Sequence, residues 1–147
     1  MDQLTKREII MAHYESPLNQ ELPETDEYVK INSNNSSCID NIDLYIKFDS
    51  NIISDIKFSG EACAISTSST SIMIKNLIGK TIKEAYTFID NFEKMINEQP
   101  YNEELLEEAI VYDEIYKQNN RKDCAYLPYR GIKKALEQQF PNINPND

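Results

Sequence analysis

Near Gly60 the hydrophobic pattern of this chain switches from alternation to the helical period and stays there, and that change limits the folds open to it. Before it, Ile42, Leu44, Ile46 and Phe48 alternate with Asp43, Tyr45 and Lys47, the mark of a half-buried strand. Tyr28, Lys30 and Asn32 alternate with Val29 and Ile31 just upstream, and Ile52, Ile56 and Phe58 run back after a turn at Asp49-Ser50-Asn51. Beyond Gly60 the spacing is helical. Ile65 to Ile78 reads as one helix, closed by Gly79 in a left-handed cap. Thr81 opens the next with Glu84 completing a capping box, Ile82, Ala85, Tyr86, Ile89, Phe92 and Ile96 forming its apolar stripe and Pro100 stopping it. Glu103 to Lys117 reads as an acidic amphipathic helix with Leu105, Leu106, Ala109, Tyr112, Ile115 and Tyr116 inward, and a last helix spans about Ala125 to Gln139. An N-terminal helix carries Leu4, Ile9, Ile10 and Tyr14 near one stripe and ends at Ser16-Pro17. Strands followed by helices predict an α+β fold, a three-stranded antiparallel sheet packed against a group of helices. The 147 residues suit a single domain over 1–140, with 141–147 as a frayed tail.

Charge excludes several classes of partner. The net charge is −10 and the basic residues are scattered, so nothing is available to neutralise a run of phosphates, and neither nucleic acid nor an anionic membrane is an expected partner. No apolar run approaches the roughly 18 residues of a membrane span. The first 14 residues mix Lys6, Arg7 and Glu8 with Ile9 and Ile10 and do not form a signal-peptide core. The expected compartment is the reducing cytoplasm, where thiols serve metals or chemistry more often than disulfides.

Three cysteines, at 38, 63 and 124, are therefore the residues to explain. A buried cysteine needs no function, and these spacings contain no CxxC pair. Their positions point further. Cys38 lies between the polar run Asn34-Asn35-Ser36-Ser37 and the strongest strand, Cys63 ends Gly60-Glu61-Ala62 as a helix opens, and Cys124 falls at the expected start of another helix. Element ends expose side chains, and helix N-termini favour the thiolate.

The surrounding segments carry a resemblance. Ile10-Met11-Ala12-His13-Tyr14-Glu15-Ser16-Pro17-Leu18-Asn19, Cys38-Ile39-Asp40, Phe58-Ser59-Gly60-Glu61-Ala62-Cys63-Ala64-Ile65-Ser66, Gly79-Lys80 and Arg121-Lys122-Asp123-Cys124-Ala125-Tyr126-Leu127 occur in order, and together they resemble the NifU/IscU-like family of iron-sulfur cluster assembly proteins over nearly the whole chain. Two details resemble its SufU branch: the long interval between Cys63 and Cys124, and Asp123 where scaffold-type IscU proteins have a histidine. Where the family pattern has glycines, this chain has Ile39 and Ala62.

The resemblance implies a tetrahedral Zn²⁺ site of Cys38, Asp40, Cys63 and Cys124, with Arg121 as a cation beside its excess negative charge. It implies a zinc-dependent sulfurtransferase in which Cys38 accepts persulfide sulfur from a SufS-type, pyridoxal-phosphate cysteine desulfurase, released for attack by ligand exchange with a desulfurase histidine. Two alternatives remain at this point: a scaffold on which the same ligands build a transient [2Fe-2S] cluster, and a zinc protein that binds the desulfurase but relays no sulfur. His13, the one histidine, reads as a partly buried helix residue, or, by the resemblance, as part of the region docking the desulfurase. The run Ser66 to Ser71 reads as a small-residue helix face suited to close packing.

Overall fold

A computed structural model describes residues 1–36 and 39–144. Its elements are α1 (Gln3–Glu15), β1 (Val29–Asn34), β2 (Asn41–Asp49), β3 (Ile52–Glu61), α2 (Ala64–Leu77), α3 (Ile82–Ile96), three short 3-10 turns (Glu103–Leu105, Glu107–Tyr112 and Ile115–Lys117) and α4 (Asn119–Gln139). The strands form one antiparallel sheet in the order β1-β2-β3, the expected meander. Ile42, Leu44 and Ile46 are fully buried on one face, where Leu44 pairs with Ile31 and Phe58, and Ile46 with Ile56. The third strand departs from simple alternation. Pairing steps from Lys47 opposite Asp55 to Phe48 opposite Ile53, so Ser54 is an extra residue. That bulge reverses the phase beyond it, burying Ile53 and leaving Ile52 exposed.

The helices cover the sheet. α3 has the expected stripe, with Ile82, Ala85, Tyr86, Ile89, Phe92 and Ile96 all buried, and the Thr81–Glu84 capping box closes reciprocally. Gly79, at φ +92°, ends the chain's turn beyond α2 as expected. α2 is buried through Ser66–Ile74 by neighbours on both sides, α1 and α4, and its small hydroxyl residues let these approach. Ile143 packs against the core beyond α4. No helix among the described residues is long and apolar enough to cross a membrane.

Three sequence expectations need correction. The segment Glu103 to Lys117 is not an α-helix but a run of 3-10 turns, interrupted where Glu107 takes φ +47°. The spacing of its inward residues explains this: Leu106, Ala109 and Tyr112 are buried and Ile115 half-buried, a period of three that suits 3-10 rather than α geometry. Leu105, expected inside, is exposed. The last helix begins at Asn119 rather than near Ala125, which puts Cys124 within it and not at its start.

α1 is the third correction. Leu4 and Tyr14 are exposed, and only Ile9 and Ile10 of the expected stripe pack against the core. The inward face is instead anchored by polar contacts. Lys6 Nζ reaches Asp113 Oδ1 at 2.7 Å, His13 Nδ1 lies 2.7 Å from Ser71 Oγ, and His13 Nε2 lies 3.2 Å from Glu108 Oε1. His13 is thus the half-buried helix residue expected from the sequence, tied to α2 and the 3-10 segment.

Glu108 reports on this docking. Burial raises its carboxyl pKa, but bonds from Lys75 and His13 outweigh that and leave it below the ordinary glutamate value. A depressed carboxyl stabilises the fold above its unfolded pKa and loses that contribution as pH falls through its folded value. Acid unfolding monitored by circular dichroism is therefore expected to show a Glu108→Gln protein less stable than wild type at neutral pH, the gap closing below about pH 4.

Candidate metal centre

Three chain segments converge at the edge where the sheet meets α2 and α4. Asp40 ends the β1–β2 connection, Cys63 immediately precedes α2, and Cys124 projects from the second turn of α4. The sheet brings the first two together, because the ladder ends with Asn41 opposite Glu61 and Ile42 opposite Gly60. Gly60 is required there. It sits at φ +115°, and an added Cβ would lie 2.3 Å from the Asn41 carbonyl oxygen. Ala62, which stands where the resemblance has a glycine, is not among the positive-φ residues, so that position demands no glycine in this fold.

One oxygen or sulfur from each of Asp40, Cys63 and Cys124 lies within 4.8 Å of the others. Asp40 is 1% exposed and Cys124 7%, while Cys63 is half-buried and forms the accessible side. Cys63 is the N-cap of α2: its Sγ accepts from the Ser66 amide at 3.4 Å, and its own amide donates to Asp40 Oδ1 at 2.7 Å. The positive end of the α2 dipole thus faces a carboxylate and a sulfur. Burial pushes the Cys124 thiol well above its ordinary value, and the neighbouring Cys63 and Asp40 push it further. Two thiols and a buried carboxylate crowded this closely are a donor set for a divalent cation, whose charge would offset their repulsion and draw the protons from sulfur.

The sequence-derived site is only partly visible here. Asp40, Cys63 and Cys124 are brought together as expected. Cys38, the fourth expected ligand, lies outside the described residues. Arg121 is exposed, three residues before Cys124 on α4, and makes no ion pair among the described residues. Ser66 was not singled out by chemistry in the sequence, yet its hydroxyl lies 2.6 Å from Asp40 Oδ2. The signal was its place three residues after Cys63, where the third residue of a helix faces its cap.

Residues 5–143 match the family model described as the NifU-like N-terminal domain. The chain is 31% identical to the zinc-dependent sulfurtransferase SufU of Bacillus subtilis over 134 residues, 90% of each chain. It is 33% identical to the iron-sulfur cluster assembly scaffold protein IscU of Thermotoga maritima over 104 residues, 71% of this chain and 73% of that one. Among solved structures it resembles a candidate iron-sulfur cluster assembly scaffold for the SUF system from Fervidobacterium islandicum AW-1, with TM-score 0.82, 34% identity and coverage of 88% of this chain and 94% of that one.

Two measurements test the geometry. Gly60→Ala combines left-handed strain with overlap against backbone and is expected to cost roughly 3 kcal/mol in chemical denaturation. With the Cys124 thiol raised, zinc binding near neutral pH must displace its proton; calorimetry in buffers of different ionisation enthalpy is expected to show about one proton or more released per zinc, and affinity that rises with pH.

Proposed function

The chain belongs to the NifU-like N-terminal domain family, and from that premise we propose that it is a zinc-dependent sulfurtransferase serving iron-sulfur cluster assembly in the cytoplasm. Its partner is a SufS-type, pyridoxal-phosphate cysteine desulfurase. The observation that carries the reading is the cluster of Asp40, Cys63 and Cys124, a mixed carboxylate and thiol donor set suited to zinc. The extent of the likeness agrees. The relationship to the SufU protein spans 90% of both chains, whereas that to the Thermotoga maritima IscU protein spans 71% of this one.

Asp40, Cys63 and Cys124, with Cys38 two residues before Asp40 in sequence, would hold the metal. Zinc would supply a positive charge that keeps cysteine sulfur as thiolate near neutral pH. The remaining work falls to the chain. Asp40 is fixed by the Cys63 amide and the Ser66 hydroxyl, and Cys63 by the N-terminus of α2. Cys38 is the acceptor. Its thiolate attacks the outer sulfur of the desulfurase persulfide, the donor S–S bond breaks, and its electron pair leaves on the desulfurase cysteine. Cys38 then carries the persulfide.

A scaffold role is the second reading, favoured by the two relatives described as scaffolds. In that reading the same residues would hold a [2Fe-2S] cluster.

Cysteine-dependent alanine formation by the cognate desulfurase, titrated with this protein, tests the proposal. Wild-type protein is expected to purify colourless with one zinc and to raise turnover severalfold, and Cys38→Ser to keep its metal partly but lose the stimulation. A brown, iron-loaded protein would favour the scaffold. A Cys38→Ser protein that stimulates fully would overturn the acceptor assignment.

A further inference from the structure

Ser66, fully buried in the first turn of α2, reaches all three described ligands. Its Oγ lies 2.6 Å from Asp40 Oδ2, 2.9 Å from the Cys124 carbonyl oxygen and 3.6 Å from Cys63 Sγ, while its amide donates to that sulfur. A hydroxyl has one proton, so it serves the carboxylate and the carbonyl one at a time. The shorter, charge-assisted bond to Asp40 is the stronger.

The second acceptor originates in α4. In a regular helix the carbonyl of residue 124 accepts from the amide of residue 128, which here is Pro128 and has no N–H. The helix leaves the ligand's own carbonyl open, and the Ser66 hydroxyl reaches it.

We infer that Ser66 is the positioning residue of the metal centre, a role that rests on the zinc reading above. Its hydroxyl holds Asp40 Oδ2 in place before a cation arrives, and turns to the Cys124 carbonyl when that oxygen engages the cation. The open carbonyl matters because the exchange leaves no buried donor unpaired. Asp40 is thereby pre-aimed, its Oδ1 kept by the Cys63 amide, without the Ser66 bond to Oδ2 competing against the metal. Ser69, three residues on and equally buried, provides the contrast. It donates to the Ala125 carbonyl at 2.6 Å, tying α2 to α4 through a different carbonyl.

The test compares full-length wild type with Ser66→Ala, Ser66→Thr and Ser69→Ala. Zinc affinity is measured by chelator competition, Co²⁺ absorption reports ligand geometry, and thermal unfolding of the metal-free chains reports packing. Wild type, Ser66→Thr and Ser69→Ala are expected to bind alike, whereas Ser66→Ala loses about 10- to 100-fold in affinity and shifts the Co²⁺ bands. Equal losses for Ser66→Ala and Ser69→Ala, or no loss for Ser66→Ala, would assign Ser66 to helix packing and overturn the inference. Should the alanine variant not fold, Ser66→Thr decides: folded and bound as tightly as wild type it supports the role, folded and more than about tenfold weaker it removes it. A wild-type chain that binds neither zinc nor cobalt overturns the metal reading itself, which separates the two failures.

Discussion

The structure turns on a buried carboxylate held at the end of a helix. Asp40 is almost wholly removed from water, and such burial costs an ionised group on the order of several kcal/mol unless it is bonded. Its two oxygens meet the Cys63 amide and the Ser66 hydroxyl, both at the N-terminus of α2. These bonds join the β1–β2 connection to the helix that follows β3, so the sheet edge and the helix bundle are fastened at the point where the thiols gather. They also concentrate negative potential there. A cation bound among Asp40, Cys63 and Cys124 would relieve that concentration, which makes folding and metal binding parts of one equilibrium.

Around this point each element has a definable task. The β2–β3 ladder carries Asp40 to Cys63, and Gly60 permits the last close pair of that ladder. α4 supplies Cys124 and, through Pro128, an open carbonyl beside it. The 3-10 segment inserts Tyr112, whose hydroxyl lies 2.5 Å from Ser68 Oγ on α2, and burial raises the phenol well above its ordinary pKa, keeping it neutral. The long interval between Cys63 and Cys124 is therefore packed structure: it buttresses the helix whose first turn holds the site.

Elements with one dominant period were legible in the sequence. The sheet, the α3 stripe and its capping box follow from alternation, helical spacing and the Thr81–Glu84 pair. Where two periods coincide the sequence is ambiguous: Leu106, Ala109, Tyr112 and Ile115 satisfy a three-residue repeat that is close to the helical one. The docking of α1 does not show in its apolar spacing because its anchors are Lys6 and His13, polar residues whose partners lie about a hundred or more than fifty positions away in sequence. Of the candidate site, the union of Asp40, Cys63 and Cys124 came from the family resemblance, not from spacing, since no short repeat joins them. Ser66 stayed hidden in a serine-rich run because its significance depends on an acceptor that only the fold brings close, the carbonyl freed by Pro128.

In the proposed site Asp40, Cys63 and Cys124 would hold zinc through sulfur and one carboxylate oxygen. X-ray absorption at the zinc edge of the purified full-length protein reads that ligand set. The expected spectrum is that of a four-coordinate site dominated by sulfur at about 2.3 Å with one oxygen near 2.0 Å, the oxygen shell losing its ordered contribution in Asp40→Ala. Zinc surrounded only by oxygen and nitrogen, or a spectrum unchanged by Asp40→Ala, would contradict it.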